Sequence, residues 1–469
     1  MLTTINHFFT LLGPSVVVPV IILIVARALR VPLATAIRSA LAVGVGLTGF
    51  SWLISAFTPL VTKVVRQLVA TTGIHLPVVD LGWQAGSLAA FSAPVGIAFF
   101  VFALLLELVL FALGVTRIFM PANLWNNFGF MIWAVLAMTV THNALVAFGL
   151  ATFLLLVTLL LAEVQAPAWA AWYRVPTATV AAAHNLEQAL PLLLLDPLYN
   201  RLGLNRSRLT TAHFRHRFGL LGEPTSLGAL LGLGLGILAN LTRLNRLAAW
   251  SQIGHFAIQL AAIMTLFPLV TKVFAAAFTP LAAAIQHRQP STKRGGQWFL
   301  AIDDGVGFGD PATLTAGMVL LPLLVGAAFL LPGNRTLPVV DLIALPFMLE
   351  SVVALTRGNL VKVVLTGLIW GSLGLYAASW LAPVYTSAVT TYGTTLPTGV
   401  VLATSFNLMA HPLTALIFAA FVSQNPLWIG LCLLLYLSSL LFFRTHRTAV
   451  WATLEKRAAL NGPLPADPD

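Results

Sequence analysis

Long apolar runs separated by short polar loops dominate this chain. A helix needs about 17–25 mostly apolar residues to cross the hydrocarbon core of a bilayer, and about 11 such runs lie between residues 13 and 443. Basic residues cluster in alternate loops, most densely at residues 201–217, which contain five arginines. Cytoplasmic loops carry an excess of Lys and Arg, so the pattern predicts an N-terminus outside the cell and a cytoplasmic C-terminus. Residues 61–77 contain Lys63 and Arg66 and predict a helix lying on the outer interface.

Two of the apolar stretches are interrupted by polar residues. The first, residues 175–195, has a proline near each end and four central polar side chains, His184, Asn185, Glu187 and Gln188. The second, residues 399–414, contains Asn407 and His411. A charged group at the bilayer centre costs about 2.5–3.5 kcal/mol on insertion scales, and irregular backbone at that depth is tolerated only inside protein or beside water. We therefore predict two re-entrant hairpins whose polar tips face a cavity.

Short strings recur along the chain at similar spacings. The string P-L-V-T-K-V at residues 59–64 recurs at 268–273, and a Leu-Gly pair opens a span at 12–13 and again, at the same spacing, at 221–222. Asn-Leu occurs at 185–186 and at 407–408. Another string, L-P-V-V-D-L at 76–81 and 337–342, has a different spacing, and we treat it as a chance match.

These matches predict two copies of one unit. Residues 1–222 would form the first repeat with the hairpin at about 175–195, and residues 223–443 the second with the hairpin at about 399–414 and the last helix. Residues 444–469 would be a cytoplasmic tail. Each copy holds an odd number of spans, about five, so the copies must be inverted. Inverted repeats with discontinuous helices are typical of secondary-type transporters, which bind substrate at the midplane between the repeats.

Composition agrees with a membrane protein. The chain is 59% hydrophobic and only 8% charged, whereas soluble domains carry about 25% charged residues. The net charge of +11 follows from the loop arginines and lysines, so we expect no nucleic-acid partner. The single cysteine, Cys432, lies in an apolar run and indicates packing rather than a phosphoryl-carrying nucleophile. No phosphate-cradling motif is evident, and we expect neither a cofactor nor a metal ion.

Six short strings spread over the chain are specific when taken together. They lie at residues 12–15 (L-G-P-S), 78–83 (V-V-D-L-G-W), 124–126 (L-W-N), 218–224 (F-G-L-L-G-E-P), 331–338 (L-P-G-N-R-T-L-P) and 355–360 (L-T-R-G-N-L). In these strings the chain resembles the galactitol-family IIC membrane subunit of the bacterial phosphoenolpyruvate-dependent sugar phosphotransferase system. More distantly it is similar to the ascorbate-family IIC subunit.

This resemblance implies an inner-membrane permease that takes up hexitols or pentitols while a separate IIB subunit, charged through IIA, phosphorylates them. The ascorbate family adds 11 spans, inverted repeats, a homodimer and an elevator-like motion of a core domain. We therefore expect an all-α polytopic membrane protein, an elevator-type transporter surrounded by lipid. It would act as a sugar-phosphorylating transferase only together with IIA and IIB.

The polar tips depart from the family pattern. The family often has Ile-Pro-His-Gly where this chain has Ala182-Ala183-His184-Asn185, and Asp where it has Asn407. It often has Gly-Leu-Asp where this chain has Ile302-Asp303-Asp304, and His where it has Asp310. The resemblance thus predicts the fold and transport class and leaves the sugar alcohol open.

The first tip and the segment near residue 304 supply the main site candidates. Carboxylates, amides and imidazoles can pair with neighbouring hydroxyls of a polyol. His184 and Asp304 match the family's His and Asp, which implies that both bind substrate and take part in catalysis. Asp304 could accept the proton of the hydroxyl that is phosphorylated. Asn185 and Asp303 are predicted to bind substrate beside them. The alternatives are a histidine that caps the hairpin backbone and an aspartate N-cap beside Gly305.

Three further pairs are weaker candidates for substrate binding. They are Trp83 with Gln84, His142 with Asn143, and Asn407 with His411. The first pair offers a stacking wall and an amide donor. The second lies at the end of a span, where a histidine is more often an interface group, and the third lies in the second hairpin.

Two other functions stay open on the sequence. The first is an ion-coupled transporter that uses Asp303, Asp304 or Glu107 as a proton site. The second is a membrane-embedded enzyme that modifies a lipid. Polar tips in two inverted copies, rather than in one facial cluster, argue against the second.

Overall fold

The computed structural model describes residues 14–464 apart from several gaps. The gaps are 29, 73–75, 121–122, 124, 208–223, 278–279, 281–283, 285–296, 339, 395 and 397–399. The predicted boundary at residue 222, most of the arginine-rich loop and the start of the second hairpin therefore lie outside the described residues. So does the side chain of Gln84.

The N-terminal half contains eight described α-helices. They are α1 (Pro14–Ala28), α2 (Leu33–Thr72), α3 (Trp83–Ser92), α4 (Pro94–Ala112), α5 (Phe128–Thr141), α6 (Ala144–Tyr173), α7 (Ala183–Leu186) and α8 (Ala189–Arg201). The three strands described in this half are β1 (Val78–Asp80), β2 (Ile118–Phe119) and β3 (Ala178–Val180).

The C-terminal half repeats this order of elements. Its described helices are α9 (Pro224–Ala239), α10 (Leu247–Ala276), α11 (Gly305–Phe308), α12 (Pro311–Leu330), α13 (Leu345–Leu355), α14 (Leu360–Thr391), α15 (Phe406–Met409) and α16 (Pro412–Val422), followed by the additional α17 (Pro426–Ala459). Its strands are β4 (Phe299–Ile302), β5 (Thr336–Leu337) and β6 (Leu402–Thr404).

Within the described residues, five helices are long and apolar enough to cross a membrane. They are α4, α6, α12, α14 and α17. Their length and composition confirm the prediction of a polytopic membrane protein. Several shorter apolar helices, among them α5, α13 and α16, lie between them, and the count of about 11 spans stays a prediction.

The expectation of an all-α protein is wrong in one respect, because the described residues include six short strands that form two parallel sheets. In the first sheet, Val78 of β1 pairs with Thr336 of β5 on one side and with Leu402 of β6 on the other. In the second, β4 lies between β2 and β3, and Leu300 pairs with Ala178. Each sheet therefore has its central strand from one half of the chain and both edge strands from the other.

The two predicted hairpins are built around these strands. In the first, β3 leads into the four-residue helix α7 and, after a turn, into α8. In the second, β6 leads into α15 and then α16. Each segment therefore has one extended limb and one broken helical limb. His184 and Asn407 both occupy the second position of their short helix, so the Asn-Leu match seen in the sequence is out of register by one residue.

Helices α1, α2, α9 and α10 pack against one another as a layer. The amide of Gln67 donates to the side chain of Gln252 at 3.1 Å, and the Thr71 hydroxyl donates to the Ala239 carbonyl at 2.9 Å. The predicted interface helix at residues 61–77 is wrong, since α2 continues unbroken from residue 33 to residue 72. At 1.5 Å per residue this 40-residue helix is about 60 Å long.

Candidate functional site

The carboxyl end of β4 places two carboxylates beside the first polar tip. Nε2 of His184 lies 2.5 Å from Oδ2 of Asp304, and both residues are buried. Asp303 accepts a hydrogen bond from the Gly305 backbone N–H at 2.8 Å, a turn that starts α11. Pairing of β3 with β4 joins the two segments, so the structure brings together three residues that the sequence singled out separately.

Helix α13 closes the other side of this cluster. The Ser351 hydroxyl donates to Oδ1 of Asn185 at 2.5 Å. Glu350, the preceding residue, is fully buried and interacts electrostatically with Asp303 and Asp304. We name the set His184, Asn185, Asp303, Asp304, Glu350 and Ser351 the histidine–carboxylate cluster.

The second polar tip lies next to the first. His411 is close enough to His184 to interact with it electrostatically. Nε2 of His411 lies 2.6 Å from the carbonyl oxygen of Asn407, and Nδ1 lies 4.0 Å from Oε2 of Glu187. The backbone N–H of Asn407 instead donates to Asp341 at 2.9 Å. The tips of the two predicted hairpins therefore meet inside the protein.

Glu187 joins the two tips. Its carboxylate accepts hydrogen bonds from the backbone N–H groups of Leu413 and Thr414, from the Thr414 hydroxyl and from the Trp370 indole. The first two donors lie in the first turn of α16, where unpaired N–H groups and the helix dipole favour an anion. Glu187 is buried, and its position indicates a structural link between the halves.

The other sheet carries a second acidic pair, Asp80 and Asp341. Asp80 accepts hydrogen bonds from the backbone N–H groups of Gly82, Phe406 and Asp341. Asp341 accepts from the backbone of Trp83 and Asn407 and from the Ser405 hydroxyl. All four carboxylate oxygens are thus bonded by the protein, which indicates a structural role. Both aspartates belong to the L-P-V-V-D-L string, whose copies lie at β1 and next to β5; these strands hold different places in the order of elements of the two halves, so the match does not join equivalent elements.

The histidine–carboxylate cluster differs from this pair because several of its buried polar atoms form no hydrogen bond of normal geometry within the described residues, although Asn185 and Trp169 lie near enough to interact with the Glu350 carboxylate. These atoms are both carboxylate oxygens of Glu350, Nδ2 of Asn185 and, at the adjoining tips, Oε1 of Gln188 and Nδ1 of His411. A buried polar atom without a partner costs about 1–3 kcal/mol. Among the described residues no group of three His, Cys, Asp or Glu side chains is arranged to hold a metal ion.

Comparison with known proteins identifies the chain. The sequence model of the family described as "PTS system sugar-specific permease component" matches residues 7–399. The chain belongs to this family. It is 23% identical over 426 residues to the galactitol-specific EIIC component of Escherichia coli K12, covering 91% of this chain and 92% of that protein. It is 23% identical over 376 residues to a putative permease IIC component of the same strain, covering 80% and 84%.

Membership of the IIC permease family confirms the resemblance drawn from the short strings. It implies a sugar substrate, IIA and IIB partner proteins, and a multi-pass protein of the inner membrane. The apolar helices agree with that location.

Two predicted pairs lie outside the cluster in this IIC protein. Trp83 begins α3 at the other sheet, and its ring centroid lies 5.9 Å from that of Phe128. His142 is exposed and ends α5 in a left-handed conformation. Asn143 caps α6 by accepting from two backbone N–H groups. Their predicted contact with substrate stays a prediction, and we leave these residues out of the proposed site.

Sequence reasoning missed Glu350, Ser351 and the role of Glu187. The first two lie in an apolar stretch without a family string, and only packing of α13 against α7 brings them to the cluster. One signal was available, because Glu350 is a carboxylate inside a long apolar run, and such residues mark functional sites by default.

Proposed function

We propose that this IIC protein is a sugar-alcohol permease that binds a hexitol or pentitol at the histidine–carboxylate cluster, between the two halves of the chain. The observation that supports it best is the group of buried, unbonded donors and acceptors around the His184–Asp304 pair. Each hydroxyl of a polyol both donates and accepts one or more hydrogen bonds. A linear polyol can therefore satisfy carboxylate oxygens and amide N–H groups that the protein leaves unbonded.

The proposed chemistry couples uptake to phosphorylation. A terminal hydroxyl oxygen of the bound polyol would attack the phosphorus of a phosphocysteine on IIB, forming the O–P bond as the S–P bond breaks. Asp304, aligned by His184 at 2.5 Å, would take the hydroxyl proton as general base. The IIC chain would supply binding, orientation and the proton acceptor, and IIB the phosphoryl group.

We further propose that the halves are inverted repeats and that the protein moves as an elevator. The repeated element order and the exchange of strands between the sheets support two equivalent units. The layer of α1, α2, α9 and α10 would serve as the scaffold against which the domain containing the cluster moves. An N-terminus outside, a cytoplasmic C-terminus and a homodimer stay predictions from the sequence and the family.

Binding and transport measurements test this function. Purified protein is titrated with galactitol, sorbitol and xylitol by calorimetry, and uptake of the tightest binder is measured in proteoliposomes with and without phosphorylated IIB inside. We expect polyol binding, and accumulation of the phosphorylated polyol only with phospho-IIB. Uptake driven by a proton or sodium gradient in the absence of IIB would contradict the proposal.

One observation favours ion coupling as a second candidate. Glu107 is buried on α4, and in the described part of the chain neither of its carboxylate oxygens accepts a hydrogen bond of normal geometry, although the Asn127 side chain lies beside it. An ionisable residue inside a spanning helix is a possible proton site. The gradient experiment separates the candidates, and Glu107→Gln should abolish gradient-driven uptake if ion coupling operates.

A further inference from the structure

Glu350 is the carboxylate of the cluster that the proposed chemistry does not use. It is 0% exposed, and neither oxygen accepts a hydrogen bond of normal geometry from the described residues. The donors beside it, Nδ2 of Asn185 and Nε1 of Trp169, are close enough to interact with the carboxylate, but not at normal hydrogen-bond geometry. These two donors can fill only two of the roughly four acceptor positions of a carboxylate, so Glu350 keeps acceptor capacity for a ligand.

Contacts with α6 and α11 position the helix that carries Glu350. The Tyr173 hydroxyl donates to the Glu350 carbonyl at 3.0 Å, and the rings of Phe308 and Phe347 pack at 4.3 Å between centroids, joining α11 to α13. A Cβ at position 307 would overlap Oε2 of Glu350. Gly307 therefore leaves the space that the carboxylate occupies against α11.

The charges around Glu350 determine which ligand it can take. Asp303 and Asp304 lie within electrostatic range, and His184 is already paired with Asp304. Three acidic groups beside one histidine attract hydrogen-bond donors and repel anions. Hydroxyl groups meet this requirement, whereas a phosphate ester, which carries about two negative charges near neutral pH, does not.

We infer that Glu350 determines substrate selectivity at this site. Its carboxylate accepts hydrogen bonds from hydroxyls of the bound polyol, and its negative charge disfavours the phosphorylated product, which promotes product release. This inference rests on the proposed function, because it assigns the ligand of the same cluster. Sites built to bond a hydroxyl reject analogues that lack it, since the buried polar group is then left unpaired.

The test compares the wild type with Glu350→Gln, which keeps the side-chain volume and removes the charge. The affinities for galactitol, 1-deoxygalactitol, 6-deoxygalactitol and galactitol 1-phosphate are measured by calorimetry. We expect the variant to bind galactitol roughly 10- to 100-fold more weakly than the wild type does. The ratio of galactitol affinity to deoxygalactitol affinity should also be smaller in the variant. The ratio of phosphate to galactitol affinity should rise at least tenfold.

Two further variants separate selectivity from folding. Glu187→Gln also removes a buried glutamate, but one whose carboxylate the protein bonds fully, and it should lower thermal stability without changing the phosphate-to-galactitol ratio. Glu350→Asp keeps the charge and should retain rejection of the phosphate. Thermal melts and gel filtration of every variant exclude misfolding.

The outcomes are distinct. If the wild type binds none of the three polyols of the screen, the proposed function fails. The second outcome is that the wild type binds galactitol, and Glu350→Gln lowers the melting temperature but leaves the galactitol affinity and the phosphate-to-galactitol ratio unchanged. Glu350 would then have a structural role only, bonded by Asn185 and Trp169. In that case this inference alone fails.

Discussion

At the scale of single residues, the 2.5 Å contact between His184 and Asp304 makes the most direct prediction. His184→Asn should weaken polyol binding at least tenfold, because Asp304 loses its partner and a hydrogen bond to a charged group contributes about 1.5–3 kcal/mol. Calorimetric titration with the tightest-binding polyol measures the effect. His255→Ala, at an exposed site on α10, is the control, and equal affinity of both variants would remove His184 from the site.

The same scale shows what single residues of the sequence can reveal. His184 and Asp304 stand out because they interrupt apolar segments near prolines and glycines and match a family pattern. Ser351 does not stand out, because a serine is common in apolar helices and only its bond to Asn185 gives it a role. Long-range side-chain contacts cannot be derived from local pattern, since they depend on how the helices pack.

At the scale of secondary-structure elements, the first turn of α16 depends on a glutamate from the other half of the chain. Glu187→Gln removes the charge and replaces one acceptor oxygen with a donor that would face backbone N–H groups. We expect a loss of about 2–4 kcal/mol in stability, read as a lower melting temperature in detergent. Glu455→Gln, which removes the partially exposed partner of Arg357, should cost less than 1 kcal/mol. If Glu187→Gln and Glu455→Gln lower the melting temperature equally, Glu187 does not link the two tips.

A glycine on α14 fixes how closely that helix approaches the second tip. A Cβ at position 374 would lie 2.6 Å from the Ala410 carbonyl oxygen, and backbone cannot move aside as a flexible side chain can. Gly374→Ala should therefore displace the tip and cost about 1–3 kcal/mol. Melting temperature and polyol affinity measure both effects. Gly430→Ala is the matched control, since a Cβ there meets nothing within 4 Å.

The elements themselves were only partly predictable. Helices α4, α6, α12, α14 and α17 follow from long apolar runs. The six strands do not, because two to four residues are too few to show an alternating pattern and their partners lie in the other half of the chain. The interface helix predicted at residues 61–77 is wrong because Lys63 is exposed on the continuous helix α2, where its charge needs no separate interface helix.

At the scale of the whole molecule, the shared sheets tie the two halves together. Each central strand, β1 or β4, has both hydrogen-bonding edges covered by strands of the other half. Buried backbone N–H and C=O groups without partners are costly inside a membrane protein. The six-residue string suggested two copies only together with the matched Leu-Gly and Asn-Leu pairs, and no sequence pattern indicated that the halves exchange strands.

This exchange predicts that neither half folds alone. Residues 1–222 or 223–469 expressed singly would expose the edges of a central strand, so each should aggregate or be degraded. Expressed together in one cell, the two fragments should assemble, co-purify through a tag on one of them and bind polyol with near wild-type affinity. The intact chain is the control. A single fragment that gives a sharp monomeric peak in gel filtration and a cooperative thermal transition would contradict the prediction, because its strands would then be satisfied without the partner half.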